Sequence, residues 1–290
     1  MNNSYTSSVT RIPLLGVIMP LLLACFPAHA ETTNCTAITS LPAVITTQGV
    51  YCFTGNLSTS MTSGNAIEIQ TNNVTIDLNG FKLGGLGARD GTQANGIYAD
   101  QRKNITIKNG IIRGFYRGIW LDAPSFATSS GQVVKNVLAD QNTFTGIDVR
   151  GFGNTVSGNT VVDTGGSTVI NDAIGIWVLG SGAKVVNNTV STTTATGTGI
   201  AIGISLFSAD YSLVQNNTVT DTLDNSTNSY AIYIADDSTG VFVRDNNMAN
   251  ADLGLFFLFL PPSSSGKYKD NLTFNVTTPF SGGINAGGNN

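Results

Sequence analysis

A small residue followed by an aliphatic one opens eight segments of this 290-residue chain: AIEI at 66, GIYA at 96, GIWL at 118, GIDV at 146, GIWV at 175, GISL at 203, AIYI at 231 and GLFF at 254. Successive starts lie 22–30 residues apart, the variation that loops of unequal length leave on a constant frame. Further along each segment stands an asparagine: Asn79, Asn109, Asn136, Asn159, Asn188, Asn217, Asn247 and Asn271. Two markers repeating together restrict the chain to a stack of like units, each too small to bury a core alone.

Inside the units, apolar and polar residues alternate in short runs such as NNVTIDLNG, KNITIKNG and VVNNTVS, the period of strands with one buried face. The expected class is therefore all-β, a solenoid of about eight coils stacked at ~4.8 Å each. The second position of the segments (Ile67, Ile97, Ile119, Ile147, Ile176, Ile204, Ile232, Leu255) and the fourth (Ile69, Ala99, Leu121, Val149, Val178, Leu206, Ile234, Phe257) should both face the core, because strand side chains alternate. Asparagine suits the turns, since it tolerates a left-handed backbone and its amide can bond to the next coil.

On the stretch NNVTIDLNGFKLGG at 72–85, the NNT turns at 187 and 216 and the GI starts, the sequence resembles the pectate-lyase-like superfamily over roughly residues 40–280. The resemblance implies a single-stranded right-handed parallel β-helix. We divide the chain into an N-terminal cap over 31–65, the helix over 66–276 and a tail over 277–290. Members of that superfamily include polysaccharide lyases, glycosidases, pectin esterases, uronate epimerases, phage tailspikes and proteins of no known activity. Their signatures DPHD, GHG, RIK and WIDH are missing from this sequence, so the resemblance names a fold and not a reaction.

Residues 12–26, IPLLGVIMPLLLACF, form an apolar run between Arg11 and AHA at 28–30, which predicts a secretory signal over 1–30 cut after Ala30. LLAC at 22–25 also resembles a bacterial lipobox, which would instead make Cys25 a lipidated N-terminus. Either route delivers the chain to the periplasm or beyond, and the run is too short and proline-broken for a membrane span. Cys35 and Cys52 then meet oxidising conditions and should pair, a bridge worth ~3 kcal/mol for a loop of that length. Removal of the signal also removes His29, the sole histidine, and with it Ser-His-Asp, Cys-His and zinc chemistry. With 18 acidic against 14 basic residues there is no basic footprint for nucleic acid.

The third position of the segments points outward and reads Glu68, Tyr98, Trp120, Asp148, Trp177, Ser205, Tyr233 and Phe256, aromatic in five of eight coils. Both tryptophans thus fall in one column. Aromatic rings there suit sugar rings, unless a long insertion such as 84–95 or 163–174 folds over them. Two residues on come Gln70, Asp100, Asp122, Arg150, Leu179, Phe207, Ala235 and Leu258. Asp100 and Asp122, on adjacent coils ~5 Å apart, would share a proton or hold Ca²⁺. Paired acids serve glycoside hydrolysis; a cation beside a uronate, with a base for its C5 proton, serves β-elimination. The competing reading is a solvated Asp–Arg network.

The candidate catalytic residues are accordingly Asp100, Asp122, Asp148 and Arg150. Tyr98, Trp120, Trp177 and Tyr233 are the candidate sugar contacts, with Arg117 either a ligand for an acidic sugar or a plain surface charge. Arg113, Asp140, Asp163 and Asp221 read as one charged column with an Arg113–Asp140 turn salt bridge. Thr160, Thr189 and Thr218 form an outward threonine column bounded by Val137 and Met248, and LGLFFLFLPP at 253–262 should be the last, sealing coil. The function these features predict is a secreted polysaccharide lyase or hydrolase acting on an acidic polysaccharide; the alternative is a non-catalytic glycan-binding or structural envelope protein.

Overall fold

The computed structural model describes Met1 and residues 34–224, 229–235, 238–258 and 265–290, and the fold is that of the compact unit Cys35–Asn290. The expected signal peptide, Cys25 and the end of the 253–262 run lie outside the described residues.

The unit is a parallel β-solenoid, its strands joined coil to coil in parallel register, and among the described residues helix is confined to the short 3-10 turns Leu86–Ala88 and Phe126–Thr128. Each coil contributes to three ranks of strands. A front rank runs through Asn65–Ile69, Asn95–Asp100, Arg117–Asp122, Thr145–Arg150, Ala173–Leu179, Ala201–Phe207 and Tyr230–Ala235. A base rank follows, exemplified by Thr155–Ser157, Lys184–Val186 and Leu213–Gln215. A side rank, exemplified by Thr160–Gly165, Thr189–Thr194 and Thr218–Leu223, leads back to the front.

Every second-position residue from Ile67 to Leu255 is fully buried, and the fourth-position column is buried with it in one core running the length of the stack. Each such isoleucine contributes ~1.5–3 kcal/mol of apolar burial. The small residue before it is set by backbone proximity: a Cβ on Gly118 would stand 2.6 Å from the Gly146 carbonyl oxygen, and one on Gly175 would stand 2.6 Å from that of Gly203. A side chain there would wedge the coils apart.

The asparagines divide into two columns that the sequence spacing merges. Asn79, Asn109 and Asn136 occupy a left-handed turn position (φ 51°, 60° and 53°), which Gly158, Asn187, Asn216 and Asp245 fill on later coils. The residue after it starts a buried amide ladder: Asn159, Asn188, Asn217, Asn246 and Asn271. In this ladder the backbone N–H of Asn188 donates to Asn217 Oδ1 at 2.9 Å, Asn217 does the same to Asn246 at 2.9 Å, and Asn246 to Asn271 at 3.1 Å. Each amide also donates to a carbonyl of the preceding coil, as from Asn217 Nδ2 to Val185 at 2.9 Å. Asn247, which the repeat alignment selects, is exposed; Asn246 is the ladder member. The same one-residue shift moves the bounds of the threonine column, because Thr160 pairs with Leu138 and Thr218 with Asn247. It also places Asp163 one position beyond the Arg113–Asp140 column, since Asp140 pairs with Val162. The Arg113–Asp140 salt bridge is present at 2.9 Å.

Both ends join the stack without a break. Cys35 and Cys52 are bonded, and Thr36–Ile38 and Ala43–Ile45 already pair in parallel with Gly49–Phe53 and Asn65–Ile69, so residue 66 marks no boundary. Asn247–Phe257 is not the last coil, because Leu272–Ser281 pairs outside it, and Ile284–Asn285 pairs with Gly266–Lys269 within the supposed tail.

The ladder has a direct test. Asn246→Ala removes the acceptor of a buried backbone N–H and should cost ~1–3 kcal/mol in urea denaturation, whereas the neighbouring Asn247→Ala should stay within ~0.5 kcal/mol. Equal losses at the two positions would contradict the assignment.

Candidate functional site

The front rank brings the predicted column into register: Tyr98 beside Trp120, Trp120 beside Asp148, Asp148 beside Trp177, then Ser205, Tyr233 and Phe256, with Asp100 beside Asp122 two residues on. All the expected residues of coils two to four meet in one cluster. Tyr233 does not join it; it lies in an aromatic run with Phe207 at 5.9 Å, Tyr230 at 4.9 Å and Phe256 at 5.5 Å.

The centre of the cluster is Asp148, whose side chain faces outward yet is 0% exposed. Arg150 forks onto it, Nε to Oδ1 at 3.0 Å and Nη2 to Oδ2 at 2.9 Å, while Arg117 Nε approaches Oδ2 at 3.5 Å. The third nitrogen of Arg150 reaches Asp122 Oδ1 at 3.0 Å. Tryptophans close the sides: the Arg117 guanidinium lies 4.3 Å from the Trp120 ring centre, and that of Arg150 lies 5.2 Å from Trp177. The stripe is therefore packed by its own arginines, an arrangement of alternating rings and guanidinium groups. Arg117 is no free surface charge, since it is also within 5.2 Å of Tyr116 and 4.9 Å of Phe144.

Burial pushes the Asp148 carboxyl up, against the pull of both arginines. Arg150 is partly buried as well, but hydrogen bonding and attraction from Asp148 and Asp122 hold its pKa above the ordinary value. Desolvation lowers that of Arg117. Tyr98, desolvated and facing Asp100 and Asp122, is pushed up to about 12.

This geometry sorts the candidates. Asp148 is fully enclosed and holds both arginines against the indoles. Asp122 Oδ1 is committed to Arg150 and to the Ala123 N–H at 2.9 Å. Asp100 is the least committed carboxylate: Oδ2 accepts only a long 3.3 Å bond from Gln101, and Oδ1 is buried with no partner. Among the described residues no three carboxylate, thiol or imidazole groups converge as metal ligands, so a Ca²⁺ at Asp100 and Asp122 would complete its shell from water or substrate oxygens. Sequence reasoning missed Tyr116, Phe144 and Tyr230, which extend the stripe; aromatics one or two places before the small-aliphatic step were the available signal.

Residues 28–190 match the family described as right handed beta helix region, and the chain belongs to that family. Among solved structures, it is similar to the Dettilon tailspike protein at 15% identity and a TM-score of 0.53, covering 88% of this chain and 59% of the tailspike. Pectate lyase Pel9A is similar at 14% identity and 0.49, over 80% of this chain and 69% of the lyase. The A-module of the Azotobacter vinelandii mannuronan C-5 epimerase AlgE6 follows at 14% and 0.39, over 82% and 83%. At such identities the likeness concerns the fold. The chain spans about three fifths of the tailspike's length, and no curated protein matches it in sequence. Among the described residues no helix is long and apolar enough to cross a membrane.

Two outcomes follow. Arg150→Ala strands a buried carboxylate and should destabilise the chain by ~3–5 kcal/mol in chemical denaturation. Because the Tyr98 pKa is higher folded than unfolded, its contribution to stability is intact below about pH 10 and fades as pH rises toward about 12; tyrosinate absorbance near 295 nm should lose its latest-titrating step in Tyr98→Phe.

Proposed function

We propose that this is an exported, carbohydrate-active β-helix protein that lays a polysaccharide across its front face, with Asp100 and Asp122 as the acid–base pair. The observation that carries the reading is the half-buried Tyr98–Trp120 pair, centroids 4.8 Å apart, next to the one carboxylate of the cluster with an unmet hydrogen-bonding oxygen. Rings supply apolar area for sugar faces, and two carboxylates on adjacent coils supply the groups that hydrolysis needs. The Cys35–Cys52 bond supports export to an oxidising compartment.

Charge decides between substrate classes. Each Arg150 nitrogen already faces a carboxylate, whereas Arg117 has only its 3.5 Å approach to Asp148 and is the cation of the cluster left to meet a uronate. A neutral polymer is accepted by the rings directly; an acidic one draws on Arg117, or on Ca²⁺ between Asp100, Asp122 and the sugar carboxylate. The non-catalytic glycan-binding reading is favoured by one feature, the burial of Asp148 inside a saturated ion-pair network.

Incubation of the mature chain with neutral and uronic-acid polysaccharides, with and without Ca²⁺, should release reducing ends without absorbance near 235 nm. Asp100→Asn and Asp122→Asn should each lower the rate at least ~100-fold, the scale of general acid–base catalysis. Ca²⁺-dependent absorbance would mean elimination instead, and binding without either product would establish the non-catalytic reading.

A further inference from the structure

Apart from the front face, the chain carries a cleft of about 350 Å³ where the side rank turns back to the front, walled by Leu86, Arg89, Asp90, Gln141, Thr143 and Asp163. Two insertions make it. The 84–95 loop and the 163–172 loop are tied together by the Thr168 N–H, which donates to the Asp90 carbonyl at 3.1 Å, and Gly91 packs against Thr168.

Three charged groups converge there without commitments. Among the described residues the side chains of Arg89, Asp90 and Asp163, all exposed, form no hydrogen bond or ion pair, in contrast to Arg150, which is spent on Asp148 and Asp122. Arg113, which touches the cleft wall through Gln141, is held by Asp140 at 2.9 Å and by Gln141 Oε1 at 2.8 Å. Arg89 also sits at φ 61°, ψ −167°, a conformation essentially reserved for glycine. The loop thus holds a charged side chain where a glycine would fit with less strain.

The geometry points to a saccharide subsite in this cleft, taking one or two sugar units, with Asp90 and Asp163 accepting from vicinal hydroxyls and Arg89 donating to a ring oxygen or carboxylate. Its volume lies at the small end for ligand pockets, which suits a chain end or branch and not a long run of polymer. Leu86, 47% exposed, offers the apolar patch for a sugar face. The inference rests on the reading that the chain binds carbohydrate, and it adds a second contact point away from the catalytic pair.

Calorimetry with di- to hexasaccharides of glucose and of galacturonic acid tests it, read together with tryptophan fluorescence. Because Trp120 and Trp177 are the only tryptophans and both lie on the front rank, fluorescence reports the front face and calorimetry reports both sites. A disaccharide should bind the wild-type chain, and Arg89→Gly and Asp163→Asn should each weaken it at least about tenfold, the scale of one lost charged contact. Arg89→Gly should unfold at or above the wild-type temperature, since glycine takes the strained conformation freely, and Asp163→Asn keeps a side chain that tolerates its φ of 51°. In both variants a hexasaccharide should still shift the fluorescence. Unchanged disaccharide affinity in both, or no heat from any disaccharide, overturns the cleft. In the latter case a surviving fluorescence response leaves the front-face reading standing, whereas disaccharide heat lost in Arg89→Gly with no fluorescence change by any sugar would sink the front face and keep the cleft.

Discussion

The close approach of one coil to the next is the constraint on which everything else in this molecule depends. At a parallel-strand spacing of ~4.8 Å, a residue's lateral neighbour is its counterpart one repeat away, so each position becomes a column and each column must satisfy itself. Glycine or alanine before the isoleucine is the backbone's answer, since a larger side chain would meet the next coil's carbonyl. The buried asparagine ladder is the polar answer: a side-chain amide accepts the backbone N–H that the corner leaves without a strand partner, and repeats that service from Asn159 to Asn271.

The same stacking turns an outward column into a packed charged cluster. Alternating Trp120, Asp148 and Trp177 on successive coils leaves the carboxylate flanked by indoles and therefore desolvated. An ion so placed requires partners, and Arg150 from its own strand and Arg117 from the preceding coil provide them. The arginines then cover the rings that made the burial. A charged cluster of this kind fixes positions more than it adds stability, and its consequence is to present Asp100, Asp122 and Tyr98 at a defined edge.

Much of this was legible. Strand alternation, the aliphatic columns and the front-rank register all follow from the GI starts, because a repeat aligned on one buried marker carries its neighbours with it. The asparagine column shows where such reasoning slips: NN pairs at 187–188, 216–217 and 246–247 offer two candidates each, and only backbone conformation and hydrogen bonding show that the ladder member is the second of the first two pairs but the first of the last, where Asp245 takes the left-handed position. Asp148 was visible as an outward acid, but not as an enclosed one, because enclosure depends on the rotamers of side chains that the repeat does not dictate. The Arg89 cleft was hidden in an insertion outside the repeat.

The sequence by itself determined the repeating unit, the buried columns, the stripe of aromatics and the disulfide pair, since these are set by periodicity and by the chemistry of neighbouring residue types. Only the tertiary structure decided which carboxylates are spent and which are open, and which loops meet to wall a cleft. Those depend on distances between side chains on different coils, and such distances exist only once the stack has formed.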